Sequence, residues 1–240
     1  MSTPLSEGSP VRSGRRAFFK RASLGLGAVA AATALQSCDS DDPVDVGADV
    51  TLDFSNDFGV LNYAYALEQL EAAFYDAVIS DGGFGGAFST GERAILDDLA
   101  AHEAIHRDFL RAAIVMAGGE SAVIGGLTPD FGTVDFGSRT SVLQTSLALE
   151  DTGVGAYNGA GRYIADEGYL LLAGKIVSVE ARHASVIAGL LQDNAIAGDG
   201  TITTDTALDL ALTPDQVVGP NGRATPFITD MITVVNVPSS

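Results

Sequence analysis

Apolar positions recur at helical spacing in four stretches of the chain, and these predict four amphipathic helices. The first runs from about Asn56 to Ile79, with Leu61, Tyr65, Glu68, Ala72, Tyr75 and Ile79 on one line, and ends at the Gly-rich Asp81 to Gly86. The second opens at Ser89, a residue suited to capping, and runs to about Ala117, where Gly118-Gly119 stops it. Its inward line is Leu96, Leu99, Glu103, His106, Leu110 and Ile114. The third starts near Ser138 or Thr140 and reaches about Asn158, along Leu143, Leu147, Glu150, Val154 and Tyr157. The fourth covers about Glu167 to Gln192, with Leu172, Ile176, Val179, Glu180, His183, Ile187 and Leu190 inward. Residues 118–137 form a long connection between two short-looped pairs. The expected fold is all-α: a four-helix bundle with one long crossover between its second and third helices.

Outside these helices the pattern weakens. Residues 38–55, rich in Asp, read as an acidic, solvated tether. Residues 193–240 lack periodicity, although Thr213-Pro214 suits a short helix and Ile232 to Val237 an extended stretch. The bundle is therefore assigned to 56–192, with 193–240 as a C-terminal extension.

Acids and imidazoles stand in the apolar lines where leucines would be expected. A buried carboxylate without a partner is costly, so each such residue needs one. The candidates are Glu68 on the first helix, Glu103 and His106 on the second, Glu150 on the third, and Glu180 and His183 on the fourth. In Glu103-Ala104-Ile105-His106 and Glu180-Ala181-Arg182-His183 the two side chains lie three apart, on one helix face. Two Glu-x-x-His motifs plus one Glu on each remaining helix is the ligand set of carboxylate-bridged dimetal bundles. An internal repeat supports this set: Tyr75 follows Glu68, and Tyr157 follows Glu150, at the same interval. The chain reads as two copies of the unit Glu, Tyr, Glu-x-x-His, arranged so that each metal takes one His and shares carboxylates.

Glu71 shares a second apolar line with Val60, Ala64, Leu67, Phe74 and Val78, so it is a supporting or alternate group beside the site. Tyr75 and Tyr157 read first as core aromatics and second as hydrogen-bond donors to ligand carboxylates. Asp151 reads as a helix-surface acid, with acceptance from a ligand histidine as its other role, and His102 as a neighbour of the site. His102 also completes His102-Glu103-Ala104-Ile105-His106, the H-E-x-x-H pattern of zinc metalloproteases. That minor alternative lacks a third ligand at suitable spacing and leaves Glu68, Glu150 and the second Glu-x-x-His without a role.

Leu67 to Tyr75, His102 to Leu110, Glu150 to Gly153 and Val179 to His183 together resemble the ferritin-like superfamily. The likeness is to the branch of bacterial ferritin-like lipoproteins and desiccation-related proteins. The resemblance implies a di-iron or di-manganese centre handling O₂ or peroxide, and thus an oxidoreductase of ferroxidase, peroxidase or catalase type. Carboxylate-rich ligation suits Fe or Mn better than structural Zn. The competing reading is a non-catalytic envelope stress or scaffold lipoprotein on the same fold.

The N-terminal stretch reads as an address. Gly14-Arg15-Arg16-Ala17-Phe18-Phe19-Lys20 precedes an apolar run from Leu24 to Leu35 and resembles a twin-arginine signal. That run falls short of the roughly 20 residues needed to span a bilayer. Leu35-Gln36-Ser37-Cys38 resembles a lipobox, so residues 1–37 are expected to be removed and Cys38, the only cysteine, to carry lipid. The expected location is an extracytoplasmic membrane surface such as the periplasm. A formal charge of −18 excludes ordinary nucleic-acid binding, and removing 1–37 makes the remainder more acidic still. The partners expected are metal ions, O₂ or peroxide, and the membrane through the lipid alone; a homo-oligomer is left open.

Overall fold

The computed structural model describes residues 49–192, 195–198 and 200–239. The signal at 1–37, Cys38 and the first part of the tether lie outside the described residues. The bundle helices are α1 (Asp57–Ser80), α2 (Thr90–Gly118), α3 (Arg139–Ala160) and α4 (Glu167–Leu191). Their starts follow from local capping. Asn56 accepts from the backbone of Phe58 and Gly59, and Ser89 forms a reciprocal capping box with Glu92. Ser138 caps α3, and Asp166 caps α4. Helix α2 ends at Gly119, whose φ of 80° is freely adopted only by glycine.

Helix α1 packs chiefly on α2, and α3 on α4, giving two hairpins joined by the crossover. Arg139 fastens one end, donating to Glu92 on α2 and to the Leu190 carbonyl on α4. Asp57 fastens the α1 start to the α4 start by accepting from the backbone of Ala165 and Asp166. No helix among the described residues is long and apolar enough to cross a membrane.

Helix α1 is buried on nearly every side: both of its apolar lines, through Tyr65 and Tyr75 and through Leu67 and Phe74, are in the core. One side faces the bundle. The other is covered by the crossover, whose Phe131 and Phe136 pack on Phe74, and by the strand β1 (Val50–Asp53). This strand corrects the reading of 38–55 as tether throughout, because Leu52 and Phe54 are buried in the core. It pairs in parallel with β2 (Ile232–Val235), Val50 opposite Ile232. The parallel pair shields the backbone groups that a lone strand would leave open.

The C-terminal extension is equally built in. The short helix α5 (Pro214–Val218) is capped by Thr213 and Gln216, and Leu212 packs against α3 with its amide donating to the Gly155 carbonyl. The approach is close enough that a Cβ on Gly159 would sit 1.7 Å from the Leu212 carbonyl oxygen. Gly159→Ala is therefore expected to destabilise the protein by about 1–3 kcal/mol, the usual cost of overpacking. Thermal unfolding followed by circular dichroism checks this; an unchanged midpoint would mean that the extension does not dock on α3.

Candidate metal centre

The inward acids of the four helices converge. Glu68, Glu103, Glu150 and Glu180 are each fully buried, and His183 nearly so. Two clusters form, each with ligand-type atoms within 4.8 Å of one another: Glu68, Glu103, His106 and Glu180, and Glu103, Glu150, Glu180 and His183. Each cluster has one imidazole and one carboxylate of its own, from α1 or α3. Glu103 and Glu180, from the two Glu-x-x-His motifs, belong to both.

The first cluster gathers around His106 Nδ1, with Glu180 Oε1 at 2.8 Å, Glu103 Oε2 at 3.3 Å and Glu68 Oε2 at 3.5 Å. The second gathers around His183 Nδ1, with Glu103 Oε1 at 2.7 Å, Glu150 Oε2 at 3.4 Å and Glu180 Oε2 at 3.8 Å. Short as the closest of these are, neither the two Nδ1 atoms nor these carboxylate oxygens satisfy hydrogen-bond geometry. The atoms crowd a shared space as imidazole–carboxylate ion contacts, not as aligned hydrogen bonds. Eight buried polar atoms without partners in one place would be expensive in an apolar core, and a cation is the group that suits them all.

The remaining oxygens are held from across the bundle. Tyr157 on α3 donates to Glu68 Oε1 on α1 at 2.6 Å, and Tyr75 on α1 donates to Glu150 Oε1 on α3. Tyr75 also bonds Ser146. Each half of the repeat thus supplies the tyrosine that orients the other half's glutamate. These rings fill the core and act as donors at once, so their second reading holds beside the first. Ser146 went unremarked in the sequence; its interval of four from Glu150 was the available signal.

Electrostatics describes the metal-free cluster. Burial opposes charge on both histidines, yet carboxylate contacts outweigh it, raising His106 to about 12 and His183 to about 10. Burial likewise opposes ionisation of Glu103, but the two imidazoles beside it hold it down at about 2. Burial pushes Glu68 up to about 7 and raises Glu150, and it drives Glu180 well above the carboxylate range with help from Glu68. The protons belong to the cluster as a whole. Two imidazolium charges can balance only two carboxylates, so the surplus acids hold protons until a cation arrives.

Three further residues are placed by the fold. His102 is in neither cluster; its Nδ1 lies 3.0 Å from His183 Nε2, with the two ring planes 14° apart. With Nδ1 of His183 facing the carboxylates, Nε2 is left to carry the proton that His102 accepts, which fixes the ring's orientation. This placement corrects the H-E-x-x-H reading: His102 and His106 do not converge on one ion, and Glu103 is a cluster member. Asp151 is not brought to the site. It lines a separate cavity with Arg182, Asp209 and Arg223, where burial pushes it up to about 6 against the pull of Arg223. Glu71 is buried beside the clusters and belongs to neither.

A four-helix bundle with two Glu-x-x-His motifs and two further inward glutamates is a metal-binding bundle by class. Residues 56–193 match the profile of the ferritin-like domain family, more than half of the chain, and the protein belongs to that family. A comparison with curated proteins found no match.

Proposed function

We propose that this protein is an exported, lipid-anchored ferritin-like oxidoreductase whose centre takes two Fe or Mn ions and handles peroxide or iron with O₂ at the cell envelope. The observation that carries the reading is the pair of overlapping clusters, each with one imidazole and three carboxylates whose inward atoms are otherwise unpartnered. Four carboxylates offset the charge of two divalent cations, and the set matches hard or borderline metals.

Glu68, Glu103, His106, Glu150, Glu180 and His183 would hold the ions; when bound, they would supply electrons to an oxidant. Around them this chain orients and insulates. Tyr157 and Tyr75 fix the carboxylates that are not shared, and His102 fixes His183. Leu61, Tyr65, Leu110, Ile114 and Ile176 exclude bulk water from one end. An apolar cavity of about 20 Å³ borders Tyr157 and admits at most a very small molecule. The twin-arginine and lipobox resemblances support export and lipid on Cys38, and the motif likeness supports the desiccation-related branch.

Elemental analysis of protein isolated from its own host tests the reading, with close to two Fe or Mn per chain expected. The loaded protein should oxidise ferrous iron or decompose peroxide. Absence of transition metal after growth with both supplied would leave the non-catalytic envelope lipoprotein.

A further inference from the structure

Glu71 is 2% exposed, as deeply set as the cluster acids. Those acids all have company: Tyr157 donates to Glu68, Tyr75 to Glu150, and the two imidazoles adjoin Glu103 and Glu180. Glu71 has none of this. No hydrogen bond reaches its carboxylate from the described residues, and its Oε2 is buried and unpartnered. Burial, then the charges of Glu180 and Glu68, push its pKa well above the carboxylate range. A group so placed is costly unless something cationic meets it.

The opposite helix makes room for it. A Cβ on Gly153 of α3 would stand 2.9 Å from Glu71 Oε1 and 3.7 Å from Glu180 Oε2. The carboxylate therefore reaches from α1 into a recess that exists because position 153 is glycine, beside one of the two shared acids. The repeat shows the same asymmetry. Glu68-x-x-Glu71 on α1 answers to Glu150-x-x-Gly153 on α3. One half supplies an extra acid where the other supplies space.

We propose that Glu71 is a seventh ligand of the centre, a fifth carboxylate that meets a bound ion through the recess at Gly153 and makes the two ion positions unequal. The inference rests on the dimetal reading. It adds a consequence that the six-residue set does not have: five carboxylates balance one divalent and one trivalent ion, whereas four balance two divalent ions.

The test is titration of metal-free protein with Mn(II) against a competing chelator, for the wild type, Glu71→Gln and Gly153→Ala. Glu71→Gln keeps the shape, and circular dichroism verifies the fold. The wild type should bind two ions. Both variants should bind one of them at least about 10-fold more weakly, since even partners of ligands cost that much. Gly153→Ala acts with the carboxylate chemically intact, by crowding it out of the recess. A crystal structure of the Mn-loaded wild type should show a Glu71 oxygen bonded to an ion. Wild-type affinities for both ions in Glu71→Gln would overturn the proposal while leaving the dimetal centre standing. A wild type that binds no Mn(II) at all would overturn both.

Discussion

Glu180→Leu should make the metal-free protein more stable, and Glu103→Leu should make it less stable, although both abolish metal binding. The two glutamates are shared by both clusters, are fully buried, and come from equivalent motifs. Their electrostatic situations are opposite. Glu103 lies 2.7 Å from His183 Nδ1 and 3.3 Å from His106 Nδ1 and is held down at about 2 despite its burial. It is the anion that both imidazolium rings need. Removing it leaves buried positive charge uncompensated, at a cost of about 3–5 kcal/mol. Glu180 is the surplus acid. Burial and the like charges of Glu68 and Glu103 drive it well above the carboxylate range, outweighing the downward pull of His106 2.8 Å away. Replacing it with an apolar side chain of similar volume should gain about 1–3 kcal/mol, the usual desolvation penalty of a buried polar group without a hydrogen bond. At roughly 2–4 °C per kcal/mol for a domain of this size, melting curves of chelator-treated protein resolve both signs. Shifts in the same direction would mean that the two glutamates do not divide the cluster's charge as described.

Metal affinity should climb steeply with pH, by about two log units or more per pH unit near neutrality. The sign follows from the proton count. With His106 at about 12 and His183 at about 10, both rings are protonated at neutral pH without metal, and both must release a proton before Nδ1 can bind an ion. Glu180, raised well above the carboxylate range by burial, adds to the release. Each proton released adds about one log unit of affinity per pH unit. Mn(II) titrations across about pH 6 to about pH 8 measure the slope, and a value near zero would show that the histidines are not ligands.

The same groups set the stability of the metal-free form. His106 and His183 have folded values above the ordinary 6.5, so their contribution is complete below 6.5 and fades as pH rises through about 10 and about 12. Glu68 is raised from 4.5 to about 7, so its ionisation costs stability over that interval. Both effects make the folded metal-free state bind more protons than the unfolded one, and its melting temperature should fall between about pH 5 and about pH 8. Glu103 works the other way, but only in acid, between 4.5 and about 2.

Much of this was legible in the chain because its causes are local. Helix limits came from caps and glycine stops that act within a few residues, as at Ser89 and at Gly118-Gly119. The six cluster residues stood out because a charged group in an apolar line of period 3.6 is a conflict that only a partner resolves. Helix α1 was harder. Buried on both of its lines, it offered two inward acids, and periodicity alone could not say that Glu68 joins a cluster while Glu71 lies beside Gly153.

Sequence alone determined the four helices, their two-plus-two order, and which acids and imidazoles face inward, since each depends on contacts a few residues apart. Tertiary structure alone decided that Tyr157 serves Glu68 and Tyr75 serves Glu150, that His102 turns to His183, and that Val50 pairs with Ile232. Such contacts join residues far apart in the chain and leave no periodic trace in either partner. Their formation waits on the closing of long loops, which only the packed bundle repays.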